Sequence, residues 1–476
     1  MPTATTFQFV PSREVTAIKR RLDHPVVDGD GHLIEYMPLV TDLVRDVAGR
    51  DVMHAYVEFM QRGLLPDEAG FASARVFWGL PEENTLDRMT VTLPGLTYAR
   101  LDELGLDFAL LYPSSGLTIL GAPDAEVRQA AACALNTYYA QMYAEYRDRM
   151  EPVAVIPTFT PEEAIAELDH AVGELGLKAV VMSAAIPRPA GTGGSEEAWI
   201  DTLGHGSLHD YDPVWRRCRE LHVSPAFHGI GYGWGSRRSA TNYVYNHLGN
   251  FGAAQEAACR SLLLGGVPVR FPDLAFAFLE GGVGWSAQLL ADVLGHYEKR
   301  NPAAVGAYDP RRFDVDLANR LIDEYAPAAM AERRDRYARI AERLRDTPAD
   351  HPAGYDDFAQ SGLRSEEQIL AVFGGQFFFG CEADDPINAL AFDDRLLPRA
   401  ARLNAMFASD IGHWDVRDFR TVLPEAWELV EDGLVDADGF RDFTFGNVTR
   451  FLTTANPAFF DGTVVESAAR SLAGAH

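Results

Sequence analysis

Cysteine is scarce, with only Cys133, Cys218, Cys259 and Cys381 in 476 residues. They form no C-x-x-C pair and no framework spacing, which excludes a disulfide-stapled secreted domain and a cysteine zinc module. The expectation is reduced, mostly buried thiols in a cytoplasmic protein. Positive charge is also short: 42 Lys and Arg against 69 Asp and Glu leave a net charge of -27. That balance argues against nucleic acid and anionic membrane as partners, because both are polyanions that need basic surfaces. No apolar run reaches the roughly 18 residues of a membrane span. The opening MPTATTFQFVPSREVTAIKRR lacks the apolar stretch of a signal peptide, and no internal repeat or low-complexity tract appears.

What is present reads as a globular enzyme: 47% hydrophobic, 23% charged and 11% aromatic residues. The length suits one large α/β barrel or two to three ordinary domains. Eight apolar runs, at 25–29, 106–112, 152–156, 178–183, 224–228, 274–280, 376–380 and 403–409, alternate with helical patterns, as expected of a parallel sheet built from βα units. The helices include 126–147 and 161–175, the latter with Thr160 as N-cap, Pro161 at its first position and acids in its first turn. This pattern predicts a distorted (β/α)8 barrel over 25–460, with an N-terminal extension (1–24) and a C-terminal tail (461–476). Two segments break the rhythm. The Gly-rich 187–215 reads as a lid-like insertion and 286–375 as a helical cap with a charged block from Asp314 to Arg345, a separate small helical domain being the alternative.

Chemistry-bearing residues stand where strand candidates end, the face that carries the active site in barrel enzymes. The first run continues as Val26-Val27-Asp28-Gly29-Asp30-Gly31-His32-Leu33-Ile34-Glu35. Asp30 and His32 are two apart, on one face of an extended chain, and a carboxylate with an imidazole placed that way can share a divalent ion. His228 ends the run before Gly229, Glu280 ends Leu274–Leu279, and Asp410 follows Ala405–Ser409, with Ile411-Gly412-His413-Trp414-Asp415 next. Each alone has an ordinary structural explanation as a loop histidine or a helix cap. Together they put a metal-competent ligand at four strand ends in order.

Asp30-x-His32, His228-Gly229 and Ser409-Asp410-x-x-His413 resemble the metal-dependent amidohydrolase superfamily, in the branch containing the non-oxidative aromatic decarboxylases. The likeness spans 25 to about 460 and ends in Phe445-Gly446-Asn447-Val448-Thr449-Arg450-Phe451, similar to the helix that closes those barrels. The resemblance implies a distorted (β/α)8 barrel with Asp30, His32, His228 and Asp410 as metal ligands. Three departures stand out. Hydrolytic members usually carry His-x-His where this chain has Asp30. Their sixth strand usually ends in His, where this chain has Glu280. No bridging lysine is evident at the fourth run, where Lys178 sits at the strand start.

Two imidazoles, His32 and His228, with carboxylates at Asp30, Glu280 and Asp410, make an oxygen-rich set, to which Glu35 and the Glu382-Ala383-Asp384-Asp385 run are further candidates. Such a set favours iron or manganese over zinc. A minority of that superfamily, dinuclear non-haem iron or Fe/Mn oxygenases, resembles such a design, and the first hypothesis that this resemblance implies is an enzyme that hydroxylates a small organic substrate with O2 and needs an electron donor. The second is a redox-neutral enzyme with one Zn, Mn or similar ion, hydrolysing or decarboxylating its substrate, in which Glu280 or His413 takes the acid/base role. The third is a non-catalytic subunit of a hetero-oligomer. His413 is a candidate second-metal ligand or substrate donor. Arg237 and Arg238 are candidate anchors for a substrate carboxylate, and Trp234, Trp285 and Trp414 candidate pocket walls. The expected partners are a small molecule and a second copy of the chain.

Overall fold

A computed structural model describes residues 7–62, 83–189, 198–229, 231, 234–237, 239, 241–346 and 355–474. Eleven strands occur among them: β1 (Val27–Leu33), β2 (Phe108–Pro113), β3 (Met150–Pro152), β4 (Ala154–Ile156), β5 (Val180–Ser183), β6 (Ile186–Pro189), β7 (Ala198–Asp201), β8 (Pro225–His228), β9 (Phe276–Phe278), β10 (Phe377–Glu382) and β11 (Asn404–Ala408). All ladders are parallel except the β6/β7 hairpin, and the orders are β1-β2-β3 and β11-β10-β9-β8-β5-β4. β3 and β4 are one strand interrupted at Val153, whose N–H donates to Leu111 O at 3.0 Å. The eight strand positions of a (β/α)8 barrel are therefore filled in chain order, and every one coincides with an apolar run. These strands bury both faces, one under helices and one in the barrel, so they read as near-continuous apolar runs. Phe227, Phe278 and Phe379 stack across β8, β9 and β10 at 5.6 and 6.1 Å between rings, with Trp215 and Trp285 of the covering helices edge-on against them.

The helices agree with their capping signals more closely than with their expected lengths. Thr160 accepts from Glu163 N, and Pro161–Leu168 follows. The helix then widens into a π-helical turn, Asp169–Glu174, closed by Leu175 N on His170 O at 2.9 Å, where Gly173 lowers helical propensity. The helix expected over 126–147 is Ala125–Met142, because the chain must turn through Tyr143–Arg149 to enter β3. In the first irregular segment, Arg188 on β6 donates to Asp201 on β7 (3.1 Å), Tyr211 Oη (2.9 Å) and Phe159 O (2.7 Å). In the second, helix Gly284–Arg300 packs Leu289, Leu290, Val293 and Leu294 inward. The chain then makes helices Val315–Tyr325, Ala328–Ala331 and Arg334–Asp346 before Glu366–Gly375 leads into β10. No described helix is long and apolar enough to cross a membrane.

The barrel seam lies between β1 and the chain leaving β11. Asp28 is fully buried and accepts from Ser409 N (2.9 Å), Ser409 Oγ and Asp30 N (3.2 Å). Asp410 N donates to Asp30 O at 3.0 Å and His32 N to Ile411 O at 2.9 Å. The register of β1 on β2 shifts between Asp28 and Gly31, a bulge that re-aims the side chains around it. A side chain at Gly31 would displace the Asp28 carboxylate from Ser409, because a Cβ would stand 2.6 Å from Asp28 Oδ2. Burial pushes the Asp28 carboxyl up to about 6, against the lowering by Ser409 and Asp30. Asp28→Ala strands two buried N–H groups and a hydroxyl, so guanidinium unfolding should show a loss of about 2–4 kcal/mol; a loss under about 0.5 kcal/mol would show that the seam does not depend on this carboxyl.

Candidate metal centre

Six side chains converge at the C-terminal ends of the strands. Asp30 and His32 come from β1, His228 from the last position of β8, Glu280 from just beyond β9, and Asp410 and His413 from beyond β11. Glu280 (φ 57°) and Asp410 (φ 48°) both hold left-handed backbone. For residues with a Cβ that costs of the order of 1–3 kcal/mol, and such strain collects at functional sites. Both are followed by glycine within two residues. Gly412, at φ 110°, lets the chain pass where a Cβ would lie 3.0 Å from His32 Cβ.

The donor atoms face one another. His32 Nε2 lies 3.3 Å from Asp410 Oδ1 and 3.6 Å from both Asp30 Oδ1 and Glu280 Oε1. His228 Nε2 is 3.3 Å from Glu280 Oε2. His413 Nδ1 is 2.7 Å from Asp410 Oδ1 and 2.9 Å from Glu280 Oε1. His32, Glu280, Asp410 and His413 form one set of donors within 4.8 Å of each other, and Asp30, His32 and His228 another. Both Asp30 oxygens and both His32 nitrogens are buried without a hydrogen-bond partner, and the oxygens of Glu280 and Asp410 that face the cluster meet imidazole nitrogens of His228 and His413. Among the described residues no lysine or arginine pairs with the three carboxylates. Buried charge in that state is costly unless a cation joins it, and these hard oxygen and imidazole donors fit a divalent metal.

The protonation pattern follows from the crowding. Burial, then the charges of Glu280 and Asp410, raise the Asp30 carboxyl far above the usual carboxylate range. Burial raises Asp410 likewise, against the pull of His413. Glu280 goes the other way: burial raises it, but His228 and His413 together hold it well below the ordinary value. Burial and His413 push His32 far down. At His413 burial is outweighed by Asp410 and Glu280, which hold the imidazolium to well above its usual range.

Other candidates fall elsewhere. Glu35 is no ligand: its carboxylate accepts from Ser115 N (3.0 Å), Gly116 N (2.8 Å) and Tyr139 Oη (2.8 Å), tying helix Ser115–Ile119 to the end of β1. Glu382 does approach the centre, as one of three donors with Asp410 and Asp415 within 4.8 Å. Burial, then Asp415 and Glu280, push it up to about 8. A cleft of about 370 Å³ lined by Glu280, Gly281, Gly282, Glu382, Asp384, Asp385 and Pro386 opens beside Glu280. Arg237 is not brought to the cluster; it donates to Gly249 O at 2.9 Å and reaches Leu248 O at 3.4 Å, bracing its own loop. Arg238 lies outside the described residues. Trp285 packs edge-on to Phe278 and Phe379, and Trp414 edge-on to Tyr243 and His247, while Trp234 sits half-buried in its loop. Lys178 is at the opposite end of the barrel from the cluster, donating to Phe459 O. Sequence reading passed over Asp28, Ser409 and Asp415. Asp28 had a visible signal, since it repeats the Asp-Gly step of Asp30-Gly31.

The amidohydrolase family model matches residues 27–419. No curated protein matches the chain. Among solved structures, an amidohydrolase from Mycobacterium avium subsp. paratuberculosis is 18% identical over 90% of this chain and 100% of its own, with a TM-score of 0.49. A dihydroxybenzoic acid decarboxylase from Polaromonas with bound manganese and 2-nitroresorcinol is 14% identical over 90% and 97%, with a TM-score of 0.49. A 5-carboxyvanillate decarboxylase from Novosphingobium aromaticivorans, complexed with manganese and 4-hydroxy-3-methoxy-5-nitrobenzoic acid, is 12% identical over 94% and 100%, with a TM-score of 0.48.

Two outcomes separate ligands from supports. His228→Ala should lower the metal content of purified protein severalfold, whereas Glu35→Ala should leave it unchanged while costing about 2–3 kcal/mol of stability in denaturant melts. Equal metal loss in both variants would contradict the assignment. Metal must also displace the protons that burial holds on Asp30 and Asp410 above the usual carboxylate range. Affinity should therefore weaken as pH falls, by roughly tenfold per unit for each proton displaced. Calorimetry in buffers of differing ionisation enthalpy should record proton release, and a flat profile would contradict it.

Proposed function

The chain belongs to the amidohydrolase family, and on that premise we propose that it is a metal-dependent, redox-neutral enzyme that hydrolyses or decarboxylates a small organic substrate. The observation that carries this reading is the buried donor set around the unpartnered Asp30 and His32. Charge balance favours one divalent ion, because an ion together with an imidazolium at His413 neutralises the carboxylates of Asp30, Glu280 and Asp410 completely. Two ions overshoot by one unit even with His413 neutral, and require a further anion.

Asp30, His32, His228 and Asp410 would hold the ion, which when bound supplies a Lewis acid to polarise a carbonyl or carboxylate or to activate water. His32 and His228 serve as neutral ligands, and the downward push of burial on His32 suits that state. His413 keeps a proton at Nδ1, between Asp410 and Glu280. It is the general acid of this reading, delivering that proton to the leaving group or to the carbon that loses CO2. Glu280 takes no proton itself; its ionised form holds His413 charged and orients it. The cleft beside Glu280 is the approach for the substrate.

A second reading, hydroxylation with O2 at two iron or iron and manganese ions, has one observation in its favour. Donors continue past Asp410 to Glu382 and Asp415, which would supply the extra anion and a second set of oxygen ligands. It requires an external electron donor.

The test is turnover of a panel of small carboxylates and amides under nitrogen, with protein reconstituted separately with manganese, zinc and iron. Metal-dependent CO2 release or hydrolysis without oxygen is expected, and His413→Gln should lower kcat about 100-fold or more while retaining metal. An absolute need for O2 and a reductant would overturn the redox-neutral reading in favour of the second.

A further inference from the structure

The excursion between the helices Gly284–Arg300 and Glu366–Gly375 is unlike the rest of the chain. From Gly306 to Arg343 no residue is buried, although the segment forms the helices Val315–Tyr325, Ala328–Ala331 and Arg334–Asp346. Helices this short are marginal in water unless an amphipathic face is packed. Here the apolar stripe is present and uncovered. Leu317, Leu321 and Tyr325 recur every fourth residue on the first helix, at 44%, 48% and 71% exposure. Met330 (62%) follows, and Tyr337 and Ile340 (51% and 58%) lie one turn apart on the last helix. The pair is held as an arm by Arg334 to Asp323 (2.7 Å) and by the Phe313–Tyr337 ring contact.

Charge points to the occupant. Residues 301–346 contain nine arginines and nine acids, so the arm is neutral in a chain of net charge -27. It is a place where two such chains can approach without strong repulsion. Within it, Val315–Tyr325 has Asp316, Asp323 and Glu324 against Arg320, net -2. Arg334–Asp346 has five arginines against Asp335, Glu342 and Asp346, net +2. A surface holding both signs on adjacent helices is complementary to itself when turned about a two-fold axis, as an isologous dimer requires. Tyr and Met are also residue types enriched at interface cores. We propose that the arm is a homodimerisation surface, with the acidic helix of one protomer against the basic helix of its partner and the Leu317, Leu321, Tyr337 and Ile340 side chains buried between them.

Sedimentation velocity of the full-length, metal-loaded chain at micromolar concentration tests this. The expected species has twice the 52.4 kDa of the chain. Leu321→Glu with Ile340→Glu should raise the dissociation constant roughly tenfold or more, with metal content and the far-ultraviolet spectrum unchanged. Arg336→Glu with Arg339→Glu should weaken association, Asp316→Lys with Glu324→Lys should weaken it also, and a chain carrying all four should regain it. A monomeric wild-type protein, a dimer indifferent to Leu321→Glu and Ile340→Glu, or no rescue by the four-fold reversal would each overturn the proposal. The readouts involve neither substrate nor turnover, so failure here leaves the proposed chemistry untouched.

Discussion

Asp30, Glu280 and Asp410 are buried beside three imidazoles, with no lysine or arginine among the described residues to neutralise them. Water cannot solvate these carboxylates, and burial, with repulsion from the neighbouring carboxylates added to it, raises the Asp30 and Asp410 carboxyls above the usual carboxylate range. A divalent cation resolves the conflict: it compensates the charge, satisfies the orphaned oxygens and nitrogens, and leaves His413 as the one group whose proton the surroundings favour. Metal binding, proton placement and the proposed acid role are thus consequences of one electrostatic requirement.

The fold meets that requirement by holding strand ends under strain. Left-handed backbone at Glu280 and Asp410 turns two carboxylates inward at the positions where the chain leaves β9 and β11. The bulge in β1 aims Asp30 and His32, and Asp28 locks that bulge to Ser409 across the seam. Donors contributed by four separate strands stay in register only because the seam fixes β1 against β11. A defect at Asp28 should therefore be felt at the metal centre and in the unfolding of the barrel together.

Much of this was legible in the sequence. Parallel strands buried on both faces appear as uninterrupted apolar runs, so all eight barrel positions could be read, and each site residue stood at the end of one. The amidohydrolase resemblance carried by Asp30-x-His32, His228-Gly229 and Asp410-x-x-His413 agrees with the family match over 27–419. Glu35 misled because a bare acid near a strand end looks the same whether it meets metal or the N–H groups of Ser115 and Gly116; only the path of helix Ser115–Ile119 decides. The inward turn of Glu280 was illegible for a similar reason, since positive φ at a residue with a Cβ has no marker of its own beyond the glycines that follow. Helix ends were misplaced where Gly173 admitted a π turn and where the chain had to bend into β3. The iron and O2 expectation rested on counting carboxylates, and such a count by itself distinguishes neither the metal nor the reaction.

The central claim is that the six-residue cluster is a metal centre. Anomalous diffraction from crystals grown with manganese, with data collected on both sides of the manganese absorption edge, addresses it directly. One strong peak is predicted within bonding distance of Asp30, His32, His228 and Asp410, with His413 still against Glu280. Fully loaded protein showing no anomalous peak among these residues, or a peak only in the outer acidic cleft with the cluster unchanged, would contradict it.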